Sequence, residues 1–238
     1  ENTYSFLQFN RDTMTEVALI DHNGEGEATA NIQLCTAHWY GGNREQSCEN
    51  TVKSVKKLLG GIQIDGYYEL NMSEIPKLNS MVDGVTVTLE DDFSKKYPKM
   101  KKGATINLDD EQAYAYVHDR YGVGDEENTS RMKRQQQYMT GFFKKLQEKV
   151  KANPNYANEV FESLQDVSTT DIAIGKISNI SNIFASGTDK GIFELAGKSK
   201  IGQALGDEMD HMEFYVNKKA MVSTMSELFG IVEQKNKE

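Results

Sequence analysis

The stretch on which the fold and the site of this chain depend is YVHDRYGVGDEENTSRMKRQQQY, residues 116–138. It gathers several arginines around one glycine-containing loop and the helical pattern that follows it. A helix is predicted over 131–152, because apolar residues recur at helical spacing from the end of this stretch onward. These residues are Met132, Met139, Phe142, Phe143, Leu146 and Val150. Thr129 or Ser130 is expected to cap the start of this helix.

A second face of the same helix carries polar residues at positions i, i+3, i+4 and i+7, namely Arg131, Arg134, Gln135 and Tyr138. Cations in a first helical turn oppose the helix dipole at a cost of about 0.3–1 kcal/mol. A bound anion would turn this cost into a favourable free energy, because both the exposed N–H groups and the guanidinium groups favour phosphate. The stretch therefore fits either an anion site or a solvated basic face.

Composition narrows the classes of function. The 238 residues carry a net charge of −9 with a sequence pI of about 5.1, which argues against general nucleic-acid binding. No apolar run approaches the ~20 residues that a membrane helix needs, and no signal peptide is visible. The chain opens almost at once on a strand-like segment, YSFLQF, which is typical of a mature or trimmed fragment.

Strand and helix patterns alternate along the whole chain. The Asn23-Gly24 turn predicts a hairpin between 14–20 and 28–34. Further strands are expected at 62–70, 85–89, 193–197 and 212–216, and helices at 49–59, 73–81, 109–117, 156–165, 171–185 and 218–233. This alternation predicts an α/β protein with a mixed β-sheet sandwiched between helices. No break in composition forces a second domain, so residues 1–238 are predicted to form one domain.

Motifs for metal or nucleophilic chemistry are weak. The histidines His22, His38, His118 and His211 are scattered, without metal-ligand spacing, so no metal ligand is predicted. Cys35 and His38 could form a nucleophilic pair but lack an orienting partner. The acidic cluster Glu90-Asp91-Asp92 is interpreted as a solvated turn. Cys35 and Cys48 would pair in an oxidising compartment and stay reduced in the cytosol, and composition leaves both open.

Arg11 directly follows the strand YSFLQF. Ligand sites of open α/β sheets lie beyond the carboxyl ends of strands, so Arg11 could converge on the basic loop at 120–134. The alternative is an ordinary salt bridge, to Asp12 or elsewhere.

Five segments follow one another in the order seen in the LytR–CpsA–Psr family, whose domain is also called the cell envelope-related transcriptional attenuator domain. They are RDTMTEV (11–17), SCENTVKSVKKLLGGIQIDGYYELNM (47–72), DGVTVTLEDDF (83–93), KKGATINLDDEQAYAYVHDRY (101–121) and SRMKRQQQY (130–138). The match runs to about residue 150, and 150–238 resemble the closing helices and strands of the same domain.

The resemblance implies an extracytoplasmic phosphotransferase, anchored in the cell membrane through a segment outside this sequence. Such an enzyme moves a glycopolymer from a polyprenyl-pyrophosphate carrier to peptidoglycan, with Mg²⁺ as cofactor. The alternatives are a non-catalytic binding protein for polyprenyl phosphate or glycopolymer on the same fold, and a general phosphate-binding module.

Residue by residue, Arg11 matches the arginine of the family's R-D-T motif, Arg120 the second arginine of R-x-R, and Arg131 the arginine before x-x-R-Q. The resemblance assigns these three to catalysis and pyrophosphate binding, and adds Arg134 and Gln135 to the pyrophosphate contacts.

The chain departs from the family at two places. His118 occupies the first R-x-R position and offers less charge than arginine. The family's first strand and acidic metal-binding motif would lie upstream of Glu1, so the fold is expected to lack that strand. The extracytoplasmic setting also implies a Cys35–Cys48 disulfide.

Overall fold

The computed structural model describes residues 2–26 and 28–230. Within them the chain forms two compact units. Unit 1 comprises residues 2–4, 70–168 and 172–191, and unit 2 comprises residues 5–26, 28–69, 169–171 and 192–230. That residues 1–238 form one domain stays a prediction.

The predicted hairpin forms in unit 2. Strand β2 (Met14–Ala18) pairs antiparallel with β3 (Thr29–Gln33), in a register that sets Met14 opposite Gln33. The turn between them is held by the Asp21 carboxylate, which accepts backbone N–H groups from Asn23 at 2.9 Å and Glu25 at 2.8 Å. Gly24 has a φ of 81°, a conformation that glycine adopts without steric cost.

The rest of unit 2 packs around this hairpin. A 3₁₀ helix (Leu34–Trp39) leads into α1 (Arg44–Leu58), which the Asn43 side chain caps by accepting the Gln46 N–H. Strand β9 (Gly197–Gly202) pairs antiparallel with β10 (His211–Val216), and Thr13 bridges Phe214 in parallel sense. Helix α7 (Lys218–Phe229) ends at Gly230, whose φ is 64°; residues 231–233 of the predicted helix lie outside the described residues.

Unit 1 is mainly helical. Its helices are α2 (Ile75–Met81), α3 (Asp110–His118), α4 (Asn128–Ala152), α5 (Tyr156–Ser163) and α6 (Ile174–Ser186), and its short strands β5 (Thr86–Thr88) and β6 (Thr105–Asn107) pair antiparallel. A capping box between Asp109 and Gln112 starts α3. Tyr116, Tyr138 and Phe142 belong to a core of buried residues at the α3–α4 contact.

The α/β class is confirmed, although the strands of residues 2–26 and 28–230 form five two-stranded sheets in place of one continuous sheet. The remaining pairs join β1 (Thr3–Gln8) to β8 (Thr188–Glu194) and β4 (Tyr68–Leu70) to β7 (Ser168–Thr170). The strand predicted at 62–70 shortens to β4 because its partner β7 has only three residues. Among the described helices, none combines the length and apolar character of a membrane span.

Candidate functional site

The long helix α4 begins at Asn128 with Glu127 as N-cap, so the prediction of Thr129 or Ser130 as cap is wrong. The Glu127 side chain makes no capping bond. The Asp125 carboxylate replaces it by accepting the Glu127 N–H at 2.9 Å and the Ser130 hydroxyl at 2.8 Å. These bonds, led by the one from Glu127, favour the charged form and lower the pKa of Asp125 below its usual range.

Arg134 lies inside unit 1, with 2% of its surface exposed. Its Nε donates to the Tyr116 carbonyl at 3.0 Å, Nη2 donates to the Asp119 carbonyl, and Nη1 pairs with the Asp91 carboxylate. Its Cζ also lies 5.3 Å from the centre of the Phe93 ring. The three nitrogens of the guanidinium are therefore committed to the protein itself.

Gln135 acts in the same way. Its Nε2 donates to the Val117 carbonyl at 3.0 Å. The carbonyls of Tyr116 and Val117 lie in the last turn of α3 and have no partner within that helix. Arg134 and Gln135 therefore cap α3, and their direct contact with pyrophosphate stays a prediction. Spacing placed Arg134 on one helix face with Tyr138, and that face is the buried one.

Asp91 was missed as a functional residue, because EDD was interpreted as a solvated turn. Only 14% of its side chain is exposed, and it is the ion-pair partner of Arg134. Gly124 approaches it closely: a Cβ at this position would lie 2.5 Å from the Asp91 Oδ1, and the Gly124 φ is 57°. Asp91 and Gly124 thus fix the loop before α4. The glycine in that loop was the sequence signal available.

Arg120 lies on the loop after α3, which Arg134 holds by its hydrogen bond to the Asp119 carbonyl. Its Cζ lies 4.5 Å from the centre of the Tyr121 ring, and its Nη2 donates to the Tyr121 hydroxyl. Within the described part of the chain its Nε is buried and has no hydrogen-bond partner. Arg131, at the start of α4, donates from Nη2 to the Asn128 Oδ1 at 2.7 Å.

His118, at the family's first R-x-R position, stacks on Tyr114 with ring centres 4.7 Å apart. Its Nδ1 lies 3.1 Å from the Asp119 Oδ1. The other Asp119 oxygen lies 3.5 Å from the Lys96 Nζ, and this carboxylate raises the Lys96 pKa. The Asp119 carboxylate thus lies beside two basic side chains, His118 and Lys96.

Arg11 belongs to unit 2. Arg11 forms the salt bridge that was expected as the alternative, because its Nε lies 3.5 Å from the Asp12 Oδ1. Its Nη2 also lies 3.5 Å from the Cys35 Sγ, and half of its side chain is exposed. Arg120, Arg131, Arg134 and Gln135 lie in unit 1. Convergence of Arg11 on them stays a prediction.

The predicted Cys35–Cys48 disulfide is wrong in this structure, where both cysteines are free. Cys35 faces the Arg11 guanidinium, whereas the buried Cys48 faces His38. Burial raises the pKa of the Cys35 thiol, and the nearby Arg11 opposes that rise. The two cysteines are close in sequence, but each contacts a different side chain.

One cluster of side chains in unit 2 has the composition of a metal site. In the chain apart from residues 1, 27 and 231–238, a single group of three candidate ligand side chains was found, composed of His38, Cys48 and Glu69. No metal ligand was predicted from sequence, because these residues come from separate segments and form no spacing motif.

Unit 1 therefore presents cations on a loop and helix start that are fixed by a buried ion pair, a class of site suited to anionic ligands. The chain belongs to the LytR–CpsA–Psr family: the sequence model described as the LytR_cpsA_psr family matches residues 1–229. No curated protein is similar enough to count as a match.

Solved structures share the fold. Protein gbs0355 from Streptococcus agalactiae is 21% identical with a TM-score of 0.73, over 100% of this chain and 77% of that one. B. subtilis TagV is 19% identical with a TM-score of 0.69, over 97% and 85%. A structure titled "TagT bound to LI-WTA" is 19% identical with a TM-score of 0.69, over 97% and 79%.

Proposed function

We propose that this chain is a cell-wall glycopolymer phosphotransferase domain, acting at the extracytoplasmic face of the cell membrane. Family membership supports the assignment to the cell envelope. The bound WTA, wall teichoic acid, in the TagT structure supports a glycopolymer as partner. The substrate proposed here is a polyprenyl-pyrophosphate-linked glycopolymer, and the acceptor is a peptidoglycan hydroxyl.

The observation that carries the proposal is the setting of Arg120. Its guanidinium sits on a loop whose backbone is held by the buried Arg134 through the Asp119 carbonyl. Its Nε is buried without a hydrogen-bond partner within the described residues, and such a polar group is one that a bound oxygen would satisfy. A preorganised cation stabilises charge on a pyrophosphate without reorganising during the reaction.

In the proposed reaction the acceptor oxygen bonds to the phosphorus that carries the polymer and loses its proton. The bond from that phosphorus to the bridging oxygen breaks, and polyprenyl phosphate leaves. Arg120 and Arg131 would bind and neutralise the pyrophosphate oxygens. Arg134 and Gln135 act through these residues, because they fix the end of α3 and the loop behind it.

Mg²⁺, which the resemblance implies, takes oxygen ligands in near-octahedral geometry. The single candidate group found among the described residues contains a thiol and an imidazole, so it does not fit Mg²⁺. No step is therefore assigned to this ion. The presence of His118 in place of an arginine favours a second candidate: a non-catalytic protein that binds polyprenyl phosphate or glycopolymer.

Two assays on the same variants separate these functions. Binding of a short-chain prenyl pyrophosphate is measured by calorimetry, and transfer is measured with a prenyl-pyrophosphate-linked saccharide and peptidoglycan fragments. Arg120→Ala should weaken binding at least ~10-fold, since charged hydrogen bonds are worth about 1.5–3 kcal/mol. The matched control is Lys133→Ala, which removes an exposed cation from α4.

Transfer that Arg120→Ala lowers by about 100-fold would support the enzyme. Binding without transfer would support the second candidate. Equal binding by Arg120→Ala and the wild type would overturn the site itself.

A further inference from the structure

Three side chains of different chemistry meet in unit 2. One ligand atom from each of His38, Cys48 and Glu69 lies within 4.8 Å of the other two. The Cys48 Sγ is 3.8 Å from the His38 Nε2. Cys48 is buried, with 4% of its surface exposed, while His38 and Glu69 are half-buried. The group is therefore sheltered on the sulfur side and accessible on the other.

The fold brings His38 over Cys48 through a tight turn. His38 lies in the last turn of the 3₁₀ helix, and Cys48 lies in the second turn of α1. Gly41 connects them with a φ of 147°, and a Cβ there would lie 2.8 Å from the Ser47 backbone nitrogen. Since only glycine allows this approach, Gly41 sets the imidazole against the thiol.

Glu69 is placed independently of the other two. It lies in β4, and one of its carboxylate oxygens accepts a hydrogen bond from Arg44, the first residue of α1. The neighbouring Tyr67 N–H donates to the Asp171 Oδ1 at 2.8 Å, which anchors the segment before β4. A carboxylate has two oxygens, so Glu69 can keep Arg44 and still offer one oxygen to a ligand.

The chemistry of the three donors matches one kind of ion. Zinc binds cysteine sulfur at about 2.3 Å and histidine nitrogen or carboxylate oxygen at about 2.0–2.2 Å, in tetrahedral geometry. In such a tetrahedral site a sulfur and a nitrogen ligand lie roughly 3.5–3.6 Å apart, which follows from these bond lengths. The thiol–imidazole separation of 3.8 Å is slightly longer than this, and the Glu69 oxygen lies within 4.8 Å of both atoms, so small side-chain movements would bring all three to one ion. Thiolate and imidazole ligands select zinc over magnesium or calcium.

We propose that His38, Cys48 and Glu69 form a zinc site with three protein ligands and an open fourth position. Sites of this composition hold water or a substrate atom at the fourth position, whereas closed structural sites use four protein ligands. The rival arrangement is a thiol–imidazole pair beside the Arg44–Glu69 salt bridge that binds no metal.

Cobalt(II) tests the site directly, because a thiolate ligand gives it a charge-transfer band that other ligands do not. Trp39 is the single tryptophan of the chain, follows His38, and is 64% exposed. We expect metal-free chain to bind one equivalent of Co²⁺, with the thiolate band and quenching of Trp39 fluorescence. Zn²⁺ should then displace Co²⁺ and restore the fluorescence.

Variants assign the ligands. Cys48→Ser should abolish the thiolate band, and His38→Gln and Glu69→Gln should each weaken Zn²⁺ binding more than ~10-fold, the lower bound for losing even a supporting residue. Cys35→Ser and His22→Gln are the matched controls, and both should bind like the wild type. Circular dichroism without metal checks that each variant folds.

If Cys48→Ser does not fold, the band in Cys35→Ser still identifies Cys48 as the sulfur ligand, because it is then the remaining thiol. The proposal is overturned if the wild type binds no stoichiometric metal. It is equally overturned if the band is lost in Cys35→Ser, or if Glu69→Gln and His38→Gln both bind Zn²⁺ as tightly as the wild type.

Discussion

Arg134 and Asp91 form an ion pair in which the guanidinium side chain is 2% exposed and the carboxylate side chain 14% exposed. The pair lies where the end of α3, the loop before α4 and the first turns of α4 meet. Burying two charges costs desolvation free energy, so the pair is retained only where further hydrogen bonds satisfy both partners. Here the carbonyls of Tyr116 and Asp119 accept the remaining hydrogen bonds of the Arg134 guanidinium.

The first prediction concerns the loss of one partner. Arg134→Ala leaves the Asp91 charge buried and the α3 carbonyls unpaired, so we expect the free energy of unfolding to fall by about 3–5 kcal/mol. Urea denaturation followed by circular dichroism measures this. Lys133→Ala, an exposed neighbour, should change it by no more than about 0.5 kcal/mol. A loss below about 1 kcal/mol for Arg134→Ala would contradict the structural role.

The second prediction separates backbone strain from a steric clash. Gly122 and Gly124 both have positive φ, 74° and 57°, so alanine at either position costs about 1–2 kcal/mol. A Cβ at Gly122 meets nothing within 4 Å, whereas one at Gly124 would lie 2.5 Å from the Asp91 Oδ1. Gly124→Ala should therefore be more destabilising than Gly122→Ala in the same urea experiment. Equal losses would show that the loop yields without disturbing Asp91.

The third prediction concerns pH. The folded-state pKa of Asp125 is lowered, so its carboxylate stabilises the fold above the unfolded pKa of about 3.9. That contribution disappears as the pH falls through the lower folded-state pKa. Ser130→Ala removes one of the hydrogen bonds and should raise the Asp125 pKa, measured by NMR titration. Thr129→Ala, the adjacent exposed position, is the control, and an equal rise there would argue against the bond.

The fourth prediction tests the correction of the disulfide. The protein prepared without reductant should have the mass of the dithiol and should release two thiols on denaturation. In the folded state Cys35 should react faster with a thiol reagent than Cys48, because Cys48 is 4% exposed. A mass lower than that of the dithiol by two hydrogens would show that Cys35 and Cys48 form a disulfide after all.

Local signals predicted the local structure well. Asn23-Gly24 located the β2–β3 hairpin, and the acidic start of α3 is a capping box at Asp109. Both depend on contacts within four residues or across one turn, which a sequence displays directly. The apolar stripe likewise predicted α4. The start of this helix was misassigned, because the Ser130 hydroxyl bonds to Asp125 in the loop before the helix.

The candidate site was only partly predictable, because long-range contacts decide what each cation does. Arg134 looked like a neighbour of Arg131 on a basic face, yet its charged partner lies 43 residues away. Asp91 in turn looked solvated, since nothing around it in sequence shows that Arg134 and Gly124 cover it. Helix periodicity identifies which residues share a face but not what covers that face.

The dependence of Gly124 on Asp91 has a consequence for how relatives of this chain diverge. Asp91 holds Arg134 on one side and excludes any side chain at Gly124 on the other. These three positions should therefore change as a set during evolution. A relative that has lost the arginine should also have lost the carboxylate, and there a residue larger than Gly124 would meet only the cost of its positive φ and no longer the clash.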